Sequence, residues 1–172
     1  MSAGRILATT ILTAALCCAC AAQHRDPLTQ AEAQQLRASA QTPERRVHLL
    51  LTFAADRLLA AERNGFNTSR EKDLETAAQY LQDFAVLIER LDAELADYDT
   101  RGGNLQSSLH KVLEDESGFA RRLDEFHRLG AAQQRKIGPS VQQAVSAVES
   151  SQRSVRSMLN REQPHSINPP GH

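Results

Sequence analysis

Three stretches of this chain place a histidine close to an acid: Glu44 with His48, His110 with Glu114, and Asp124 with His127. Carboxylates and imidazoles that converge inside a helical bundle can hold metal ions, and di-iron bundles do so with paired Glu-x-x-His motifs. None of the three has that form. His110 directly follows the apolar seam residue Leu109, and His127 directly follows Phe126, so both are expected to point away from a core. Surface capping or ion pairing is the expected role of such spacings. His48 differs, because its helix is apolar on most sides and it shares a polar strip with Thr52 and Asp56 at four-residue intervals. A buried, hydrogen-bonded histidine is the reading adopted there, with a metal or small-ligand site as the alternative. His165 and His172 are isolated near the end of the chain. A Gly-x-Ser-x-Gly elbow, a glycine-rich phosphate loop and a His-Glu-x-x-His motif are all missing from the sequence. The sequence therefore assigns no catalytic residue, no metal ligand and no cofactor.

Composition sets the frame for these residues. The 172 residues are 41% hydrophobic and 24% charged, the balance of an ordinary globular domain. Lys and Arg number 20 against 21 Asp and Glu, a net charge of −1, which argues against a strongly basic nucleic-acid binder and a block-charged disordered tail. Trp is absent and aromatic residues make up 4%, leaving few large anchors for a ligand pocket.

The first residues read as an address. Arg5 precedes an uncharged run from Ile6 to Leu16, followed by small residues from Cys17 to Ala22, the three-part layout of a secretory signal peptide over 1–21. Ala19-Cys20-Ala21 satisfies the small-x-small cleavage rule and would release a soluble chain starting at Ala22. Leu16-Cys17-Cys18-Ala19-Cys20 also resembles a bacterial lipobox, departing from it where Cys17 replaces the usual leucine. That resemblance implies lipid attachment at Cys20, and a diacylated cysteine would supply the two chains that stable anchoring needs. Both readings place the protein in the periplasm or cell envelope, and membrane contact is expected only through such an anchor. All three cysteines lie at 17, 18 and 20, so the body beyond them has no disulfide, no cysteine zinc site and no cysteine nucleophile.

Residues 22–162 read as a single all-α, antiparallel helical-bundle domain, with helices near 28–40, 43–63, 69–99, 105–129 and 139–161 and a disordered tail over 163–172. Thr42-Pro43-Glu44 is a helix start, with a capping residue, proline at the first position and an acid in the first turn. Asn64-Gly65 is read as the stop of that helix. Its stripe of Val47, Leu50, Leu51, Ala54, Leu58 and Ala61, flanked by Leu49, Phe53 and Ala60, predicts the most enclosed helix of the bundle. Leu74, Leu81, Ile88 and Leu95 recur every seven residues, with Ala77, Phe84, Leu91 and Tyr98 between them, a heptad pattern that predicts coiled-coil-like packing. The short link at 101–104 predicts that this helix and the next form an antiparallel hairpin. That next helix carries Leu105, Leu109, Val112, Phe119, Leu123 and Phe126 on one face, and Gly138-Pro139 is read as punctuation before the last helix.

Residues 70–99 hold nine acids against three bases, while 131–172 hold five bases against two acids, which favours these segments lying side by side. Leu28-Thr29-Gln30-Ala31-Glu32 resembles the Leu-Thr-x-x-Gln element of periplasmic stress chaperones of the Spy and CpxP kind, with Glu32 in place of glutamine and one copy rather than two. That resemblance keeps a chaperone-like binding role open as an alternative, and a Thr-capped helix start accounts for the same letters. The expectation drawn from the whole is an exported, non-catalytic structural or protein-interaction module. It would take a protein partner and no nucleic acid, and its regular seam is able to recruit a second copy.

Overall fold

The computed structural model describes residues 25–162 apart from 67, 69 and 102–105. The leader with Cys20, the link at 102–105 and the tail with His165 and His172 lie outside the described residues. Five α-helices and one 3-10 turn, with no strand, make up the described chain: α1 (Gln30–Ala38), α2 (Pro43–Gly65), α3 (Glu71–Thr100), α4 (Gln106–Glu125), the turn Phe126–Arg128, and α5 (Ala131–Glu162).

Local chemistry explains most of the boundaries. Thr29 caps α1 in a full capping box: Glu32 N–H donates to Thr29 Oγ1 at 3.3 Å, and Thr29 N–H donates to Glu32 Oε2 at 2.6 Å. Pro43 opens α2, where its missing N–H costs nothing. Gly65 closes α2, but for a reason other than a left-handed turn. A Cβ placed there would come within 3.2 Å of the Phe126 ring and 3.5 Å of Ala77, so the glycine allows three elements to approach. Phe126 is in turn held by the tilted ring of Phe66, 4.6 Å between centroids.

The last helix corrects the sequence reading. It starts at Ala131, eight residues before the expected start at 139, and runs through Pro139. Proline inside a helix removes one backbone bond and costs about 3 kcal/mol. Tertiary anchoring on both sides offsets it. Ile137 and Val141 are buried in the core, and Gln82 donates to Ser140 Oγ at 3.2 Å. The new first turn has its own cap, in which Gly130 N–H donates to the Gln133 side chain at 3.1 Å while Gln133 Nε2 donates to the Thr68 carbonyl at 2.8 Å.

Helices α2, α3, α5 and α4 surround one core in that cyclic order. The ion pairs fix their directions. Arg46 of α2 meets Glu94 of α3, so those helices are antiparallel. Lys136 and Arg161 of α5 meet Glu71 and Asp99 of α3, so that oppositely charged pair runs parallel. Arg122 of α4 grips Glu62 of α2 through two bonds of 2.7 and 2.9 Å. Helix α4 packs beside α5 and α2, diagonally across the core from α3, which revises the expected side-by-side hairpin. The edge-on contact of Phe84 with Phe119, 5.4 Å between centroids, spans this diagonal.

Helix α3 is enclosed to the same degree as α2, with ten of its 30 residues buried against eight of 23. Its positions Leu74, Ala77, Leu81, Phe84, Ile88, Leu91 and Leu95 are all buried. On α2 the strip of His48, Thr52 and Asp56 is exposed, and Leu59 beyond it remains 38% exposed. The wide apolar arc of α2 reflects a second duty, since it also takes Leu28 and Leu36 of the α1 region into the shared core.

Helix α1 is short and depends on that docking. Arg57 of α2 reaches Glu32 with bonds of 3.0 and 2.6 Å and the Pro27 carbonyl at 2.7 Å, in a pair whose side chains are only 12% and 14% exposed. Burial pushes the Glu32 carboxyl up, but the bonds from Arg57 and Thr29 outweigh it and hold the acid below its ordinary range. Arg57→Met is therefore expected to lower the opening free energy of α1 by about 2 kcal/mol. Hydrogen exchange should show faster amides over 30–38 with unchanged protection in α3.

Candidate functional site

Helix α4 carries an acid in its core-facing register. Leu109, Val112, Phe119 and Leu123 are buried along one stripe, and Glu116 occupies the position between Val112 and Phe119 with 0% exposure. Because α4 lies diagonally opposite α3, this carboxyl is directed into the middle of the bundle rather than along its surface. Ser151 of α5, itself 1% exposed, takes the corresponding place in the stripe Val141, Ala144, Val148, Val155 and Met158. Asp92 of α3 acts on the same acid from the third side.

The hydrogen bonding of this cluster is incomplete. Both carboxyl oxygens of Glu116, Ser151 Oγ and Asp92 Oδ1 are buried, and none completes a bond of ordinary geometry with a described residue. Buried polar atoms are paired in the great majority of cases, so a carboxyl whose nearest partner, the Ser151 hydroxyl, falls short of an ordinary bond marks an exception. Loss of hydration pushes the Glu116 carboxyl up from 4.5 to about 7. The nearby Ser151 hydroxyl draws it back in part, Asp92 pushes it further up, Arg156 lowers it and Asp115 raises it. A carboxyl held near neutrality can donate or accept a proton at physiological pH, the property expected of functional acids.

Clefts among the described residues accompany the cluster, and three of them bear on function. One of about 270 Å³ lies between α3 and α5, lined by Glu89, Asp92, Gln143, Ser146, Ala147, Ser150 and Ser151, and two of these residues belong to the buried cluster. A second, of about 280 Å³, lies between α2 and α4. It has Leu51, Ala55 and Phe119 for apolar lining, with His48, Thr52, Asp56, Lys111 and Asp115 around them. The third, of about 300 Å³, sits where α2 meets the end of α3, and its charges are already paired: Arg46 with Glu94, and Arg101 with Asp97.

The chain matches no protein-family model, no curated protein and no solved structure. The site therefore rests on its own geometry.

The histidines singled out by the sequence are not brought together. His48 is exposed on the rim of the α2/α4 cleft rather than buried, because the polar strip of α2 faces outward between its neighbours. His110 and His127 are exposed beside buried Leu109 and Phe126, and Glu44, Glu114 and Asp124 are exposed as well. Among the described residues, no group of three or more His, Cys, Asp or Glu side chains converges as a metal site. Glu116, Ser151 and Asp92 were missed. The signal was the register: 109, 112, 116, 119, 123 and 126 follow alternating steps of three and four, so an acid at 116 falls on the seam.

Proposed function

We propose that this chain is an exported, non-catalytic helical-bundle module that binds a protein partner through the cleft between α2 and α4. The observation that carries this reading is the looseness of that seam. Helices α2 and α4 make the least extensive contact of the four neighbouring pairs, and they leave Leu51, Ala55 and Phe119 along a cleft rimmed by charge. An apolar floor with a polar rim suits the apolar face of an amphipathic helix. Lys111 and Asp115 at the rim are paired with each other, which leaves the floor as the source of affinity. Coiled-coil-like heptad packing along α3 makes the scaffold stiff enough to hold the cleft open. Export through the leader, with or without lipid on Cys20, places the module in the cell envelope.

A photo-crosslinking side chain at position 55 tests the reading in the cells that make the protein. A discrete adduct from 55, absent when the same group replaces Gln142 on the exposed side of α5, is the expected result. Equal labelling from both positions would remove the cleft as the interface. Turnover of a substrate, lost on a single substitution, would remove the non-catalytic reading.

A further inference from the structure

We propose that the outer face shared by α2 and α4 pairs with the same face of a second copy of this chain, antiparallel about a two-fold axis between Ser117 and Gly118. The inference rests on the reading of that face as an interface and names its partner. Lys111, Asp115, Gly118 and Arg122 recur at four, three and four residues, so they form one row of α4 alongside α2. Gly118 is not required by the packing of one copy, since a Cβ placed on it meets nothing within 4 Å. Glycine weakens a helix interior, and the open space above it lets a second helix come close. Leu59 lies one turn before Glu62, as Gly118 lies one turn before Arg122, so the Arg122–Glu62 pair sets Leu59 and Gly118 level. Leu59 is the large apolar side chain that stays exposed among the described residues. An axis at that level brings it to its own counterpart.

Charge selects a second copy and fixes its direction. Glu114 lies three residues before Ser117, and Arg121 lies three after Gly118. Both are exposed, and neither forms an ion pair with a described residue. An antiparallel copy sets Glu114 opposite the partner's Arg121 and, by symmetry, Arg121 opposite the partner's Glu114. One turn further out, Lys111 comes beside the partner's Glu125. Their bonds within the helix, to Asp115 and Arg128, are exposed and easily exchanged. A parallel copy would stack Glu114 on Glu114 and Arg121 on Arg121, which like charge disfavours. The heptad seam of α3 does not serve a second copy, because Leu74, Leu81, Ile88 and Leu95 are buried within one.

Area sets the strength. Neighbouring helices of 23 and 20 residues present a face about 30 Å long and about 20 Å wide. Pairing two such faces buries about 1,200 Å² in total, the lower edge of specific interfaces, so the dimer is weak.

Sedimentation of the full chain over about 1–500 µM tests the proposal, with a monomer–dimer equilibrium expected within that range. Glu114→Arg and Arg121→Glu should each weaken association by about tenfold, and the double exchange should restore it to within about threefold. Gly118→Leu, whose side chain enters open space, should abolish the dimer without lowering Tm. A monomer throughout, a dimer indifferent to the single exchanges, or a double exchange that keeps the parent's helicity without restoring the dimer would each overturn the proposal. An adduct from position 55 with a different protein, in a chain that sediments as a monomer, would overturn the second copy and keep the cleft. No adduct from 55 beside an exchange-sensitive dimer would remove the cleft and leave the pairing of α4 standing.

Discussion

Glu116→Leu is expected to stabilise the protein, and by more as the solution becomes more alkaline. The side chain has 0% exposure, its two oxygens are unpaired, and leucine fits the seam occupied by Val112 and Phe119. The folded state holds the carboxyl at about 7 against an ordinary 4.5, so it keeps its proton over a range where the unfolded chain has lost it. The parent's stability is therefore highest below the unfolded value and falls as pH rises through the folded one. The shift corresponds to about 3 kcal/mol lost between roughly pH 4 and pH 9. The leucine variant lacks this slope, so its advantage should grow by that amount across the same range. Glu116→Gln removes the slope while keeping the unpaired polar group, and should gain less than leucine. Urea unfolding at a series of pH values reads all three chains.

Phe84→Ala is expected to cost about 3–5 kcal/mol, a large share of the 5–15 kcal/mol by which ordinary domains are stable. Phe84 is fully buried on α3 and meets Phe119 of α4 edge-on at 5.4 Å. Because α3 and α4 face one another across the core, truncation opens a cavity where no neighbouring backbone stands ready to close it. A double-mutant cycle with Phe119→Ala should return a coupling of about 0.5–1.5 kcal/mol for the ring pair. Leu59→Ala serves as the contrast: its side chain is 38% exposed, and its loss should stay below about 1 kcal/mol. Thermal and urea unfolding of the parent and the four variants checks all three numbers.

Local signals made the helices legible, and they failed where tertiary packing overruled them. Thr29 with Glu32 carries capping chemistry that acts within one turn and Pro43 presets the first helical residue of α2, so both starts could be read from four or five letters, although Thr42 makes no side-chain cap bond. Gly138-Pro139 carries an equally local signal for a break, but burial of Ile137 and Val141 on either side holds the helix through it. The opposite charges of α3 and α5 pointed to neighbours, and they are neighbours. The diagonal placement of α4 was not legible, since a short link constrains direction more tightly than it constrains adjacency. The candidate site was missed for a related reason. In a chain with 21 acids, residue type alone does not distinguish Glu116, while the rarer histidines at 48, 110 and 127 are exposed. Reading the stripe of α4 for its gap as well as its members would have found Glu116.

An acid shut inside the bundle underlies both the site and the pH dependence of stability. Carbon-detected NMR titration of the Glu116 side-chain carboxyl measures it most directly. A midpoint near about 7 is the result this structure predicts, whereas a midpoint near the ordinary 4.5 would mean that water reaches the carboxyl and that α4 does not turn it inward.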